Sequence, residues 1–420
     1  MQNSHPEDRA AERLTSQSWL LLAVHALFVI ASSLSGTFLG VYLWKASHNF
    51  AAIGWFTLLT HLCMALTFWI AGYFVKQGYT LLCFRIGVGL SAGFYAIVLL
   101  LGTSAVHYIW LLGLVQGLAT GLFWLVFNVI YFEVTEPNTR DRFNGWMGIF
   151  GAVAGMVAPW CSGLLISHMN AERGYRMVFM ISLGIFIAGA IVSFWLRQRR
   201  TEGSYEWRLP IRILQTKGTP WRTILGALVA QGFRESVFGV MIGLLVYIQT
   251  GSEMKLGNFT LMTSAVAFVS FYLAGKWIKP SWRSPAMLIG TLALIVVILP
   301  FFLGMSYMTM LIFGIGTSLF IPLYTVPMTS AVFDLIGQNE ESVRQREEYI
   351  VLRELALNAG RIVSMLLFIM TVSISKDPFV LNILLLIVGS APFVCWLCMR
   401  GYLRSMAGQR AKMPRRGVTR

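Results

Sequence analysis

At 420 residues, with 56% hydrophobic and 12% charged residues and a mean hydropathy of +0.68, the chain is too apolar for a soluble domain, in which roughly 25% of residues are charged. A net charge of +15 would suit a nucleic-acid partner only if the basic residues clustered on a polar folded face. They lie between long apolar runs instead, so nucleic acid is excluded and hydrocarbon is the solvent for most of the chain.

Residues 1–18 are polar and read as a cytoplasmic segment. The apolar run that follows is too long for a secretory signal and lacks a small-residue cleavage site, so it is expected to stay as the first helix. Crossing a bilayer takes about 20 apolar residues, and twelve such runs are present: 19–44, 51–75, 81–102, 105–132, 143–168, 174–196, 223–248, 254–278, 284–304, 307–336, 350–373 and 378–402. Unbroken stretches such as LIGTLALIVVILPFFLG exclude the ten-residue alternation of a closed barrel. The fold class is therefore an all-α membrane protein with twelve transmembrane helices.

Mild polarity marks the first half. His25 and Ser32 share a face of the first helix, Thr57, Thr60 and His61 one of the second, and Gln116, Thr120 and Asn128 line the fourth. His25 and His61 are candidates for titration near neutrality, although a lone histidine in a helix is more often a hydrogen-bonded packing residue. Trp124, Tyr131, Phe238 and Tyr324 are candidate cavity walls or core residues. In the fifth run Gly145, Gly148, Gly151, Gly155, Ala158-Pro159 and Ser162-Gly163 are spaced for close helix contact in lipid. Residues 197–222 form a polar, basic linker in which Trp207, Ile211 and Trp221 suggest a short helix on the anionic inner leaflet.

The second half repeats the first. Phe68, Ala71, Gly72, Lys76, Ile86 and Gly87 recur 203 positions later as Phe271, Ala274, Gly275, Lys279, Ile289 and Gly290, and GLATGLFWLVFNV from Gly117 returns as GIGTSLFIPLYTV from Gly314. One six-helix unit thus occurs twice in the same order, the pattern of a transporter built from parallel repeats. The halves are 19–196 and 223–402, followed by a basic tail at 403–420.

Charge deep in a span costs about 2.5–3.5 kcal/mol, so such groups must face water or one another. Arg234 and Glu235 lie in the seventh run and Arg353, Glu354 and Arg361 in the eleventh. Glu354, Asn358 and Arg361 share a helix face, as do Gln231 and Glu235. Glu235 and Arg361 fall at similar depth and are expected to pair, either as a proton-coupling centre or as a structural network. Five cysteines lie in or beside spans; Cys395 and Cys398 form a CxxC without a second cluster, which reads as packing thiols. No metal or cofactor is expected.

Of the Lys and Arg residues, 25 fall on one side of the membrane and 5 on the other when both ends are placed inside, so both termini are expected in the cytoplasm of a cell membrane. The repeats, the linker and the Gly-x-x-x-Lys turns at Gly72–Lys76 and Gly275–Lys279 resemble the major facilitator superfamily. That resemblance implies two pseudo-symmetric six-helix bundles. The family's turn after the second span carries an acid that GYFVKQG lacks; Lys76 and Lys279 are expected at helix C-termini or as inside anchors. Gly145, Ala154, Ala158, Pro159, Ser162 and Gly163 are similar to the family's antiporter motif, with three glycines replaced, and imply export by exchange. The expected function is secondary active transport of a small organic solute, with protons and membrane lipids as further partners, by a monomer and not an enzyme. A lipid or glycolipid flippase and a non-transporting receptor or assembly factor are the alternatives.

Overall fold

A computed structural model of the protein describes residues 14–135, 137–197, 204–216, 218–336, 344–375 and 377–412. The basic residues Arg9, Arg13, Arg199, Arg200, Lys217, Lys376 and those of 413–420 lie outside the described residues.

Apolar length makes each crossing, and local chemistry sets where it starts and turns. Twelve long helices follow in order: α1 (Ser16–Ser47), α2 (Phe50–Phe74), α3 (Thr80–Leu101), α4 (Ile109–Val134), α5 (Pro137–His168), α6 (Ala171–Ser193), α7 (Pro220–Thr250), α8 (Glu253–Trp277), α9 (Arg283–Val296), α10 (Tyr307–Ile336), α11 (Arg346–Ile374) and α12 (Pro378–Lys412). A linker helix, Leu209–Gln215, lies between α6 and α7. No strand occurs among the described residues. Thr15, Asn49 and Ser252 each accept a backbone N–H just inside the following helix, starting α1, α2 and α8, because the first N–H groups of a helix lack partners of their own.

Helix α2 passes into α3 without a loop. A π-helical turn at Val75–Tyr79 joins them, with Gly78 at φ 90°, a backbone conformation that a Cβ disfavours. At the other end of the chain, α12 runs on to Lys412, so the expected tail at 403–420 begins as continued helix.

The two halves repeat one packing scheme. In the first, α1 packs on α5 and α6, α4 on α2 and α3, and α3 on α6; in the second, α7 packs on α11 and α12, α10 on α8 and α9, and α9 on α12. The seams between the halves, α5–α8 and α2–α11, exchange under the same correspondence. Two pseudo-symmetric six-helix bundles therefore build the molecule. The turns α2–α3, α4–α5, α8–α9 and α10–α11 and the linker share one end, called the basic face below; the α1–α2 and α7–α8 turns lie at the opposite face.

The linker does not lie free of the bundles. Leu209 and Ile213 are buried in one cluster with Trp221 and Ile224 of α7, and Trp221 stacks on Tyr349 of α11 at 4.7 Å. Trp221 is thus core, correcting its expected place at the lipid interface, while Trp207, Ile211 and Leu214 remain exposed.

Candidate functional site

Helices α7 and α11 approach until glycine meets backbone. A Cβ on Gly232 would overlap the carbonyl of Leu357, and one on Gly360 that of Val229. This closeness sets Glu235 beside Arg361, whose Nη2 donates to Glu235 Oε2 at 2.8 Å. Gln231 Nε2 donates to the other carboxylate oxygen at 2.8 Å. On its far side Arg361 Nη1 reaches Asn358 Oδ1 at 3.3 Å and lies 3.7 Å from Glu354 Oε2. Glu354 also accepts from Arg353 Nη1 at 2.6 Å. Two carboxylates and two guanidinium groups therefore form a chain of zero formal charge, which lowers the cost of holding it among apolar helices. Its two carboxylates differ in burial: the Glu235 side chain is 34% exposed and that of Glu354 8%.

From the first half, His61 on α2 comes within electrostatic reach of Arg361. Arg234 turns the other way. It is buried, its guanidinium sits 4.7 Å over the Phe238 ring, and its Nε and Nη2 have no hydrogen-bond partner among the described residues.

A cavity of about 650 Å³ lies between the halves toward the basic face. Phe127, Asn128, Tyr131 and Phe132 of α4 and Asn144 and Met147 of α5 form one wall; Thr329, Ser330, Phe333 and Asp334 of α10, with Arg283 and Arg346, form the other. Arg283 pairs with Asp334 at 2.9 Å and Arg346 with Glu347 at 3.0 Å, so the charged groups at the mouth are compensated in place.

The opposite face is closed by a contact the sequence did not suggest. Lys45 Nζ of α1 donates to Glu253 Oε1 of α8 at 3.0 Å, and Tyr175 Oη of α6 donates to the same oxygen at 3.1 Å. Lys45 also lies over the rings of Tyr175 and Tyr247. Next to this contact, α5 and α8 touch at Gly163 and Gly257, and Ser264 Oγ donates to the Gly155 carbonyl at 3.1 Å.

At the basic face Lys76 is 5% exposed and donates to Glu347 Oε2 at 2.8 Å, to Glu348 Oε2 at 3.4 Å and to the Arg344 carbonyl at 2.7 Å. This corrects its expected position at a helix C-terminus: its partners are acids in the first turn of α11, where the helix dipole favours negative charge. Its repeat partner Lys279 is exposed and makes no ion pair among the described residues. The glycines differ in the same way. A Cβ on Gly72 would press on Tyr205 and Val351, whereas Gly275 faces open space.

Several residues singled out in the sequence lie away from the cavity. Tyr324 and Phe238 are buried inside the second half, Phe238 stacked on Phe313, so neither is a cavity wall. His25 is buried against Trp124 and Phe127. Thr120 donates to the Gln116 carbonyl of its own helix, and neither residue lines the cavity; Asn128 does. Of the glycine stripe in α5, Ala154, Ala158, Pro159 and Gly163 are buried, but Gly145, Gly148 and Gly151 face nothing among the described residues within 4 Å, which corrects the expectation that Gly145 packs. Cys395 is a packing thiol that donates to the Ala227 carbonyl.

A family model described as Major Facilitator Superfamily matches residues 21–343. The chain belongs to the Major Facilitator Superfamily. The YqgE protein of Bacillus subtilis (strain 168), described as uncharacterized, is 38% identical over 371 residues, which cover 88% of this chain and 86% of YqgE. An uncharacterized protein from the sodM 3' region of Geobacillus stearothermophilus is 36% identical over 192 residues, 46% of this chain and 90% of that protein. Among solved structures, the nucleoside transporter NupG superposes with a TM-score of 0.68 at 13% identity, covering 92% of this chain and 99% of that one. A bacterial homologue of the iron transporter ferroportin, in an inward-facing state, gives 0.66 at 13%, covering 93% and 99%. At such identities the superpositions establish the shared fold. This superfamily member is a multi-pass membrane protein of a transporter family.

Proposed function

We propose that this chain is a secondary active transporter of a small organic solute, working by alternating access of its two halves and coupled to protons through Glu235. The observation that carries the coupling is the Arg361–Glu235 contact of 2.8 Å on a carboxylate whose side chain is 34% exposed. Ionised, Glu235 holds Arg361 against α7. Protonated, it loses the charge that attracts the guanidinium, and Arg361 is left to the remaining acid, Glu354, on its own helix. Because α11 also packs along α2, a change in where Arg361 is held is felt at a seam between the halves. The basic face is the cytoplasmic one on this reading, as the Lys and Arg bias requires. Export is favoured only by the partial exchanger-type motif on α5.

A thermal-shift screen against metabolite and antibiotic panels would find the solute, since a ligand bound to the folded state raises apparent stability. In proteoliposomes, wild type should then accumulate that compound under an imposed pH gradient, while Glu235→Gln should retain solute exchange and lose accumulation. Equal accumulation by both proteins would remove the proton role of Glu235.

A further inference from the structure

The two seams between the halves are not in the same state. Along α2–α11 the closure runs from face to face. A Cβ on Gly54 would meet Ile369 at 2.6 Å near the opposite face, one on Gly72 would meet Val351 at 3.0 Å near the basic face, and Lys76 joins the α11 acids beyond it. Tyr205 and Trp207 of the linker then pack across Trp69 and Tyr73 at that end. Along α5–α8 the contact stops halfway. The helices are antiparallel, and their pairing passes from Gly163–Gly257 to Gly155–Ser264. The positions that would continue it, Gly151, Gly148 and Gly145 on α5 and Gly275 on α8, have nothing among the described residues within 4 Å of a Cβ. Ile149 on α5 and Phe268, Phe271 and Tyr272 on α8 are exposed. Asn144 and Met147, from this same stretch of α5, line the cavity, and no α8 residue does.

We infer that the cavity opens sideways between α5 and α8 into the inner leaflet, and that its substrate is an amphipathic solute without net charge that arrives from the lipid. The inference rests on the transport reading only in taking the cavity as the substrate site. Three features of the cavity select that class. Aromatic rings from both halves, Tyr131, Phe132 and Phe333 among them, offer an apolar body stacking contacts. Interleaved amides and hydroxyls, such as Asn128, Asn144 and Ser330, offer hydrogen bonds to a polar end. The cations at the mouth are already paired with acids, so a charged solute would have to break an existing pair to gain one. A purely water-soluble solute would have no use for a gap that faces acyl chains, whereas an amphipath concentrates in the leaflet the gap opens on.

The test places a fluorescent amino acid, acridonylalanine, at Asn144 in protein whose Cys63, Cys161 and Cys398 are replaced by Ala, reconstituted in liposomes. The quenchers are phospholipid carrying a nitroxide on its acyl chain and aqueous iodide. The lateral opening predicts loss of emission with the nitroxide lipid. A bifunctional maleimide across Gly148→Cys and Phe271→Cys should abolish that loss while iodide still quenches. Octyl-β-glucoside below its micellar concentration should shield the probe from iodide, and glucose at the same concentration should not. Quenching by iodide alone before cross-linking, lipid quenching that survives the cross-link, or equal shielding by glucose would each overturn the inference. None of these readouts requires transport. A failure of proton coupling in Glu235→Gln leaves them intact, and a seam closed to lipid leaves the coupling proposal intact.

Discussion

Lys76 holds two acids together at the start of α11, and the consequence of removing it follows from burial. Glu347 and Glu348 are 2% and 1% exposed; without the ammonium group Glu347 keeps its Arg346 contact at 3.0 Å, but Glu348 loses the cation it pairs with while buried. Lys76→Ala should therefore cost about 3–5 kcal/mol of stability, read as a drop in the melting temperature of detergent-purified protein. Adding Glu348→Gln to Lys76→Met should recover most of the loss, because it removes the stranded charge and leaves Glu347 to Arg346. Tyr205, beside this site, gives a contrasting case. Burial pushes its phenol pKa up and the Glu348 carboxylate pushes it further, so it stays a neutral donor at physiological pH. Its bond to the Trp69 carbonyl is long, at 3.5 Å, and Tyr205→Phe should cost less than about 1 kcal/mol in the same melt.

Helix α5 shows what a spacing rule misses. Small residues recur along its whole length, yet a Cβ on Gly163 would lie 2.7 Å from the Glu253 carbonyl while one on Gly148 meets nothing. Gly163→Ala should therefore destabilise by about 1–3 kcal/mol. Gly148→Ala should be neutral or stabilise by up to about 1 kcal/mol, the difference in helix propensity. Thermal melts of the two variants side by side check both. The sequence shows which positions are able to pack closely; which half of the helix does so depends on how far the bundles are tilted apart, and no local pattern encodes that. The same limit explains the rest. Apolar run length and the internal repeat made the twelve helices and their two sets legible. Helical spacing put Glu235 and Arg361 at similar depth, but the glycine contacts at Gly232 and Gly360 that bring α7 and α11 together were not read. Lys76–Glu347 and Lys45–Glu253 join residues 271 and 208 positions apart, at helix ends where periodicity carries no signal.

At the scale of the molecule, one repeated unit is used in two ways. Each half packs its six helices alike, but the seam α2–α11 is shut along its length and α5–α8 only toward the opposite face. The gate there hangs on one carboxylate, since Lys45 and Tyr175 both donate to Glu253 Oε1. Lys45→Ala should therefore shift the population toward conformations open at that face. The account as a whole requires the two faces to open in turn. Pulsed electron spin resonance between labels at Gly145→Cys and Gly275→Cys, compared with a pair at Ala46→Cys and Lys255→Cys, measures that directly. All four positions are exposed, so the labels themselves disturb little. When Lys45→Ala is introduced, the first distance should shorten while the second lengthens. Two distances that stay fixed, or that change in the same sense, would contradict alternating access.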